Sequence, residues 1–448
     1  MNKLNKKNCT YIGVFPRDVS SLMFTKWIPE RKLLYLVVKN TTEEKWAKKF
    51  LNAKKIASYE VSPKKGYLTD KEFDDLLEDS NLSTVVKKYS INALLTTSRY
   101  TDLVKRWSEK NKIKIISHAY WKYKDFENKL WFDKFLDGHN LPKPISAIYK
   151  YPASTPIKGK LVLQKSNSSG GEGTYYIKNH SEIKKLIGLN EINTGEKYLL
   201  RQYISGKPYG ITLFIAPGIA TISAMRLQCF MNYPLTNKKI FVGIQWIPSN
   251  RLNADIKRRI NGVFFKIGKI FYRQKFWGCF NIDFIVDRKD KFFLLECNPR
   301  FSAGTTQILK FPEVISDINI GKFFVENSVK PTSYNQQFKF FAYPNSTFRG
   351  SLLEIQLHPE ISNSEITIKK EFNNGVYVYK NGNLRFKSSD IRMFSNKQKE
   401  LIFYSDARRG EVYTKFTTIA TIISNFPLFD FKGSLNKNGN KLFRKFKY

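Results

Sequence analysis

Short apolar runs alternate with polar, helix-forming stretches through the first 120 residues. The apolar runs have the length and composition of buried strands, and they lie at 11–15, 34–38, 93–97 and 113–116. Helical composition is strongest between them, at 42–51, 70–77 and 101–110. Alternation of this kind predicts a small α/β domain with a mostly parallel, Rossmann-like sheet. No GxGxxG pattern follows the first strand, so we do not expect a dinucleotide site in this domain.

The pattern changes near residue 120, where we expect the first domain boundary. Residues 124–140 have helical composition and are followed by a Leu-Pro-Lys-Pro sequence. Its two prolines end the helix and force the backbone there into an extended conformation. From Lys160 onward the apolar runs pair as in hairpins, with helical stretches at 181–189 and 253–273. After about residue 330 the runs are strand-like, with turn signals such as Asn381-Gly382. The chain therefore divides into units at 1–120, 121–330 and 331–448, of which the last is β-rich.

The most informative pattern is GCFNIDFIVDRKDKFFLLECNPR, at residues 278–300. Two apolar, β-prone runs flank a polar four-residue turn, which predicts a β-hairpin. If Asp287 pairs with Phe292 across that turn, the register carries Asp283 directly opposite Glu296. Two like charges at directly opposed positions destabilise a sheet unless something compensates them.

A divalent cation is the simplest compensation for these charges. Asn298 follows Glu296 by two residues, so the two side chains share one face of their strand and join Asp283 there. Carboxylate and amide oxygens favour Mg²⁺ or Mn²⁺. The alternative is that both acids are ordinary solvent-facing residues, and a one-residue slip of the register would separate them.

A glycine-rich loop lies between two strand-like runs within residues 160–177. Its residues from Ser168 to Thr174 are small, and their backbone N–H groups could cradle phosphates. The GxxxxGK[ST] pattern is absent and a strand follows, so this is not a P-loop. A glycine-rich hairpin turn without a ligand remains the alternative.

Composition restricts the compartment and the kind of metal site. The four cysteines are scattered without CxxC pairing, which suits a reducing compartment. The four histidines are not spaced as in a zinc site, so oxygen ligands are the better candidates. No run reaches the roughly 20 apolar residues of a membrane span, and the basic N-terminus lacks a signal-peptide core. We therefore predict a soluble, cytoplasmic chain.

The formal net charge of +38 has two interpretations. Such a charge attracts phosphate-rich or acidic partners. Basic residues are, however, spread over the whole length with acids between them, as in a lysine-rich background composition. They are concentrated only in the tail, where no acid follows Asp430 and basic residues occupy positions 432, 437, 441, 444, 445 and 447. Background composition is the simpler interpretation, and a nucleic-acid surface is the alternative.

The order of these pieces resembles the ATP-grasp superfamily of carboxylate–amine and carboxylate–thiol ligases. The pieces occur in a fixed order along the chain. Asp133-Lys134 on a helix is followed by the Leu-Pro-Lys-Pro sequence, the strand with its small-residue loop and the stretch 198–206. The last piece is the hairpin that ends in Glu296-Cys-Asn-Pro-Arg300. The resemblance covers roughly residues 120–325. It implies an ATP-grasp domain at 121–330, which has lobes at 121–198 and 199–330. This domain lies between the N-terminal α/β domain and the β-rich unit.

The resemblance implies a set of nucleotide-binding residues. Lys134 matches a lysine that reaches the nucleotide phosphates, the loop from Ser168 to Thr174 matches a flexible lid, and the stretch 201–204 matches a hinge whose backbone binds adenine. The implied set is Lys134, Gln164, Lys165, Ser169, Gly170, Gly171, Gly173, Arg201, Gln202, Tyr203 and Ile204.

The resemblance also implies a metal and catalytic set. Asp283, Glu296 and Asn298 match the metal ligands, with Glu296 shared between two Mg²⁺ ions. Arg300 matches a basic residue beside the transferred phosphate, where a guanidinium stabilises developing charge. Arg226 is a candidate for gripping the carboxylate of the substrate.

Three positions depart from the family pattern. A lysine usually ends the strand before the loop, but Gln164 stands there, with Lys165 next. The acid expected at the hinge is Arg201, and the ribose-binding acid expected after Gly206 falls near Pro208. Adenine recognition rests mainly on backbone groups, so these departures concern the nucleotide more than the fold. An inactive relative with a degenerate ATP site is therefore an alternative.

The implied activity is ATP-dependent ligation with ATP and Mg²⁺ (or Mn²⁺), two ions, as cofactors. Phosphoryl transfer to a carboxylate would give an acyl phosphate, and attack by an amine or thiol would form an amide or peptide bond with release of ADP and phosphate. The expected partners are small-molecule acids and amines, with an acidic carrier protein as a further candidate, nucleic acid less favoured and no membrane. The alternative function is a basic binding module for a polyanion or an acidic carrier protein.

Overall fold

The computed structural model describes residues 10–15, 33–38, 42–50, 56–59, 77–78, 80–88, 90–96, 102–115, 123–152, 159–168, 173–216, 218–233, 238–310, 338–356, 365–405, 407–414 and 418–446. Its helices are α1 (Thr42–Phe50), α2 (Ser80–Lys88), α3 (Asp102–Lys110), α4 (Tyr123–Glu127), α5 (Lys129–Gly138), α6 (His180–Gly188), α7 (Ala254–Arg273), α8 (Ala303–Lys310) and α9 (Lys437–Phe446). Single-turn 3-10 helices lie at Ser249–Arg251 and Ile391–Met393.

The strands begin in the N-terminal unit with β1 (Thr10–Phe15), β2 (Leu33–Val38), β3 (Ile56–Tyr59), β4 (Ile91–Thr96) and β5 (Lys114–Ile115). The middle of the chain contains β6 (Ser146–Lys150), β7 (Leu161–Lys165), β8 (Thr174–Ile177), β9 (Lys197–Gln202), β10 (Gly206–Ala216), β11 (Ile219–Ile222), β12 (Arg226–Tyr233), β13 (Lys238–Trp246), β14 (Gly278–Asp287) and β15 (Phe292–Asn298). The remaining strands are β16 (Lys339–Phe341), β17 (Ser351–Gln356), β18 (Glu365–Thr367), β19 (Gly375–Lys380), β20 (Asn383–Ser388), β21 (Glu400–Ser405), β22 (Val412–Thr414) and β23 (Thr418–Ser424).

The N-terminal unit is a parallel five-stranded sheet in the order β3-β2-β1-β4-β5. Helix α1 packs against β2 and β3, and the apolar face of α3 buries Val104 and Trp107. This architecture confirms the predicted α/β, Rossmann-like sheet. Strand β3 and helix α2 were not predicted, because neither has a long apolar or clearly periodic pattern. The helix predicted at 70–77 lies almost entirely outside the described residues.

The predicted helix at 124–140 is interrupted at Asn128. The Asn128 side chain caps α5 by accepting a hydrogen bond from the Trp131 N–H at 3.0 Å, as N-cap asparagines do. Lys129 therefore occupies the first position of α5 and shares its buried face with Phe132, Asp133 and Leu136. Strand β6, after the Leu-Pro-Lys-Pro sequence, begins the first of two antiparallel sheets.

This first sheet has the order β6-β9-β7-β8, and α6 packs on one of its faces. Tyr149, Leu163, Tyr198 and Ile183 form its own small core. We call this sheet and α6 the small lobe. The glycine-rich loop connects β7 to β8 in the sequence.

The second sheet contains the predicted carboxylate hairpin, β14–β15, next to β10, β12 and β13. The long helix α7 packs against it through Ile260, Phe264, Ile267 and Phe271, which recur at helical spacing. Asn253 caps this helix by accepting from the Ile256 N–H at 2.7 Å. The hairpin is therefore supported from behind by a rigid hydrophobic core.

This sheet continues into the C-terminal unit. Strand β13 pairs with β17, and the order proceeds through β23, β21 and β19 to β20. With β11, which pairs with β10, and β16, which pairs with β11, the sheet has 12 strands within the described ranges. Gly243 lies at the junction with a φ of 153°, and a Cβ there would collide with the Leu352 carbonyl oxygen. Glycine allows the two backbones to approach at this point. The predicted Asn381-Gly382 turn joins β19 to β20. The fold class, α/β followed by ATP-grasp-like and β-rich parts, matches the prediction.

Helix α9 closes the C-terminal unit. Leu442 and Phe446 are buried, and the Phe446 ring stacks on Phe403 with centroids 4.2 Å apart. The basic side chains of the helix, Lys437, Lys441, Arg444 and Lys445, are exposed. None of the helices in the described part of the chain is long and apolar enough to cross a membrane.

Glu400 links the start of β21 to the segment before it. Its side chain is fully buried and accepts hydrogen bonds from Lys387 Nζ at 2.6 Å, the Ser395 N–H at 2.8 Å and Gln398 Nε2 at 3.1 Å. Burial raises the pKa of Glu400, but these donors lower it more, so its pKa lies below the ordinary 4.5.

We expect Glu400→Gln to weaken the C-terminal unit at neutral pH by about 2 kcal/mol, the order of a lost charged hydrogen bond. Because the folded pKa is depressed, the contribution of the carboxylate is complete above pH 4.5 and is lost as the pH falls through the folded pKa. The urea midpoints of variant and wild type should therefore differ at pH 7 and converge as the pH falls below 4.5. Equal midpoints at pH 7 would contradict the role of the ionised carboxylate.

Candidate active site

The β14–β15 hairpin brings the two predicted carboxylates together. Asp283 pairs directly with Glu296, as predicted. The register assumed at the tip was wrong, because Phe292 pairs with Val286 rather than with Asp287. A bulge between the two regions shifts the register by one residue at Leu295 and restores the Asp283–Glu296 pairing.

The hydrogen bonds of this pair show how its charge is balanced. The two carboxyl groups are hydrogen-bonded to each other, and Asn298 Nδ2 donates to Glu296 Oε1 at 3.4 Å. Burial and the neighbouring Glu296 raise the pKa of Asp283 well above its ordinary value. Burial also raises the pKa of Glu296, but Lys129 and the hydrogen bonds lower it more, so the net shift is downward. In the absence of a cation the two carboxyls therefore prefer to hold one negative charge between them.

The donor set fits a magnesium ion better than a transition metal. Two carboxylates and the Asn298 carboxamide lie together, and the described ranges contain no group of three or more His, Cys, Asp or Glu residues that could hold a metal alone. Mg²⁺ characteristically takes one or two carboxylates and completes its shell with phosphate oxygens and water. Asp283, Glu296 and Asn298 are thus suited to a metal that arrives with a phosphate ligand.

Lys129 is a functional candidate that the sequence analysis missed. Its side chain is 4% exposed, and its Nζ donates to the Ser168 carbonyl oxygen at 2.6 Å and lies 3.2 Å from Glu296 Oε2. The apolar periodicity of α5 contains the signal, because Lys129 is in phase with Phe132 and Leu136. Lys134, the predicted lysine, is exposed on another face of the same helix.

The hinge and the strand before the loop line a cavity of about 190 Å³. Gln164, Arg201, Gln202, Tyr203 and Ile204 all contribute to it, together with Lys129, Pro208, Gln228, Asp283 and Glu296. The Tyr203 ring meets Tyr176 edge-on, with centroids 5.9 Å apart. Five of the eleven predicted nucleotide residues and two of the three predicted metal ligands therefore share one cavity.

Arg201 and Gln164, two of the departures from the family pattern, are in contact. Arg201 Nη1 donates to Gln164 Oε1 at 3.0 Å, and its Nε and Nη2 donate to Asp133 Oδ1 at 3.3 and 3.1 Å. Lys143 Nζ also donates to Asp133, at 2.6 Å. Burial lowers the pKa of Arg201, and Asp133 opposes that shift.

A second, larger cleft of about 900 Å³ lies beside the first. It is lined by Lys134, Lys165, Asn298 and Arg300 among the predicted residues, and Ser168 lines both cavities. Arg300 Nε donates to Glu127 Oε1 at 2.7 Å. Lys165 faces this cleft rather than the smaller cavity, so it does not take the position of the lysine replaced by Gln164.

The glycine-rich loop is described only at its ends. Ser169, Gly170 and Gly171 lie outside the described residues. Gly173 has a φ of 65°, a left-handed conformation that favours glycine, and a Cβ there would lie 2.9 Å from the Lys165 side chain. The Lys165 N–H donates to the Gly173 carbonyl oxygen at 2.9 Å and closes the base of the loop.

Arg226 lies behind the metal-ligand candidates. It is 3% exposed, and its Nη1 and Nη2 donate to Thr212 Oγ1 at 2.8 Å and to Asn281 Oδ1 at 2.9 Å. Burial lowers the pKa of Arg226, and the charge of Asp283 opposes that shift. Arg226 does not line either of the two cavities described above.

Comparisons with known proteins concern the family and the fold. Residues 126–304 match the family model of an ATP-grasp domain. No curated protein sequence matches the chain.

Several solved structures share its fold. The biotin carboxylase domain of 2-oxoglutarate carboxylase from Hydrogenobacter thermophilus, solved with MgADP and bicarbonate, is 15% identical with a TM-score of 0.62, covering 93% of this chain and 86% of that one. An L-amino acid ligase from Bacillus licheniformis is 12% identical with a TM-score of 0.58, covering 98% and 97%. An N5-carboxyaminoimidazole ribonucleotide synthetase in complex with ADP is 10% identical with a TM-score of 0.55, covering 97% and 95%. At these identities the likeness establishes a common fold.

Proposed function

With residues 126–304 identified as an ATP-grasp domain, we propose that the chain is a cytoplasmic ATP-dependent ligase that activates a carboxylate as an acyl phosphate and joins it to an amine. The observation that carries the proposal is the opposed Asp283–Glu296 pair, with Asn298 beside it, where the two cavities meet. The three cysteines in the described region are buried and unpaired, which agrees with a reducing compartment.

The smaller cavity is our candidate for the ATP site. The Gln202 N–H donates to the Ile145 carbonyl oxygen at 2.8 Å and the Tyr203 N–H to the Lys160 carbonyl oxygen at 3.2 Å, which fixes the hinge in an extended conformation. Ile204 lines the cavity, and its N–H is our candidate donor to adenine. The base would lie between the hinge and the Tyr176 side of the small lobe.

Two of the metal candidates, Asp283 and Glu296, line the same cavity, and Asn298 lies on the wall of the larger cleft beside it. Asp283, Glu296 and Asn298 would hold Mg²⁺, and two ions are proposed, as the resemblance implies. When bound, the metal supplies charge neutralisation for the phosphates. The protein contributes Lys129, whose buried ammonium lies 3.2 Å from Glu296 and would bind a phosphate oxygen beside it. Ser169, Gly170 and Gly171 remain candidates for the loop that covers the phosphates.

The larger cleft is our candidate for the acid and amine substrates. Asn298 and Arg300 lie on its wall, so a carboxylate in this cleft would approach the terminal phosphate from the side opposite the hinge. Glu127 orients Arg300 through their 2.7 Å ion pair, and the guanidinium would stabilise charge on the transferred phosphoryl group. Arg226 would act from behind, through Asn281 and Asp283, and direct contact with the substrate carboxylate remains a proposal.

ADP release tests the proposed reaction. Purified protein with Mg²⁺ and ATP is supplied with pools of carboxylic acids and amines, singly and combined. The proposal expects release of ADP that requires both an acid and an amine, and an amide product detected by mass spectrometry. If no combination raises ADP release above the level with ATP alone, while the protein binds ADP, the ligase function is wrong.

The exposed basic side of α9 provides a test of the alternative binding function. Deleting the tail would remove the buried Leu442 and Phe446, so a charge-only variant, Lys437→Gln, Arg444→Gln, Lys445→Gln, is the sharper experiment. If this patch binds a polyanion, the slope of log K against log salt for single-stranded DNA should fall by about two to three. Turnover of ATP with small substrates should change by less than about twofold.

A matched triple variant separates a local patch from total charge. Lys178→Gln, Lys184→Gln, Lys185→Gln removes the same charge from exposed positions of the small lobe. Equal slopes for the two triple variants would mean that the net charge of the whole chain, and not α9, determines polyanion binding.

A further inference from the structure

Three side chains from three different elements form a buried cluster at the wall of the smaller cavity. Arg201 comes from β9, Gln164 from β7 and Asp133 from α5. Arg201 is 2% exposed and Asp133 is 6% exposed. The residues are 37 and 68 positions apart in the chain, yet Arg201 contacts both partners within 3.3 Å.

The hydrogen bonds of this cluster leave donors for a ligand. A guanidinium has five N–H groups in a planar fork. Nε donates to Asp133, the two Nη2 hydrogens are used by Asp133 and the Leu295 carbonyl oxygen (2.8 Å), and Nη1 donates once, to Gln164. Gln164 Nε2 in turn donates once, to Thr174 Oγ1 at 3.3 Å. Among the described residues, one N–H of Nη1 and one of Gln164 Nε2 therefore have no acceptor at the cavity wall.

The charge of the cluster favours an anion as that acceptor. Asp133 is shared by Arg201 and Lys143, so one buried carboxylate faces two cations and balances the charge of only one of them. The other partner of Lys143, Asp137, is 64% exposed and its charge is screened by water. The buried part of the cluster thus keeps a net positive charge next to the cavity.

The position of the cluster indicates which anionic group of a nucleotide would bind to it. Arg201 is the first residue of the hinge, and its Nη2 donates to the carbonyl oxygen of Leu295, the residue before Glu296. The guanidinium is therefore between the hinge, where the base is proposed to bind, and the carboxylates proposed to hold the metal and the outer phosphates. The first phosphate of a nucleotide lies between its base and its outer phosphates.

We propose that Arg201 and Gln164 together bind the α-phosphate of the nucleotide, a role that rests on the proposed ATP site. The two departures from the family pattern are then a single compensated exchange. The cation then comes from β9 instead of from the end of β7, and Asp133 on α5 is its counter-ion. The pocket keeps one cation and one carboxylate, so the exchange preserves a functional nucleotide site.

Nucleotide titrations test this assignment. Isothermal titration with ADP, AMP and adenosine compares ligands that differ in their phosphates. We expect Arg201→Met to weaken ADP and AMP binding by about tenfold or more, because a charged hydrogen bond is lost, and to change adenosine affinity by less than about twofold. Lys150→Met, an exposed change in the same sheet, is the control and should bind all three ligands as wild type does.

A rescue variant covers the case in which Arg201→Met folds poorly. Gln164→Lys, Arg201→Met returns the cation to β7, and we expect it to recover most of the lost ADP affinity. Gln164→Met keeps Arg201 and should weaken ADP binding by about threefold to tenfold through loss of one neutral donor and of the guanidinium's support. Circular dichroism and thermal unfolding accompany each variant.

The outcomes separate the assignment from the proposed function. If wild type binds ADP but Arg201→Met binds it equally well, or if adenosine and ADP affinities fall by the same factor, the α-phosphate contact is excluded. If the double variant folds but recovers no affinity, the exchange between the two strands is excluded. If wild type does not bind ADP, the ATP site itself is wrong.

Discussion

Replacement of Glu296 by glutamine is expected to lower ligase turnover by about a thousandfold, which corresponds to about 4 kcal/mol of transition-state stabilisation. Glutamine has the same shape and hydrogen-bonds similarly, but it removes the charge that pairs with Lys129 and would hold the metal. Asp283→Asn removes the opposed carboxylate and should have a comparable effect. The measurement is ADP release under saturating acid, amine and ATP, as a function of Mg²⁺ concentration.

Asp287→Asn is the matched control, because it changes a carboxylate on the same hairpin outside both cavities. Asp287 accepts hydrogen bonds from the Lys289 and Lys291 N–H groups, each at 2.8 Å, and asparagine retains an acceptor there. The control should keep turnover within about twofold. Turnover of Glu296→Gln within tenfold of wild type would show that the hairpin does not carry the chemistry.

The second large effect is expected at Lys129. Its Nζ is buried between the loop at Ser168 and Glu296, so Lys129→Met should lower kcat/KM for ATP by about a hundredfold through loss of a charged contact with the phosphates. Lys134→Met changes an exposed side chain in the larger cleft, and we expect a smaller effect that appears in the KM of the acid or amine.

An exposed lysine on α6 provides the baseline for this pair. Lys184→Met should leave both ATP and substrate kinetics unchanged. If Lys134→Met lowers kcat/KM for ATP more than Lys129→Met does, then Lys134 is the phosphate-binding lysine, as the sequence resemblance first implied.

Much of the fold was predictable because its signals are local. Four of the five strands of the N-terminal sheet and both arms of the carboxylate hairpin are apolar runs bounded by turn residues, and the Asn381-Gly382 turn has the dipeptide that its backbone conformation requires. The pairing of Asp283 with Glu296 was predicted from an incorrect tip register. It held because the bulge at Leu295 adds the missing residue, and a bulge has no sequence signal of its own in a uniformly apolar strand.

The parts of the site that were not predicted depend on contacts between distant elements. Lys129 could have been identified from its position on the buried face of α5, in helical spacing with the apolar residues. That position is evident only if the start of the helix after Asn128 is recognised. The cluster of Asp133, Gln164 and Arg201 could not have been identified, because each residue taken alone is a departure or an ordinary polar position. Only the packing of α5 against the small lobe shows that the carboxylate of Asp133 and the amide of Gln164 both bind the guanidinium of Arg201.

The pairing of β13 with β17 gives the C-terminal unit a protective role. Strand β13 is where the sheet that carries the carboxylate hairpin passes into the C-terminal unit, and its edge over Gly243–Gln245 is covered by Ser351–Leu353. A free edge of this kind exposes unpaired peptide groups that recruit other chains. The C-terminal unit therefore covers an edge through which copies of the chain could otherwise associate, and we expect insertions to be tolerated in its hairpins rather than at this seam.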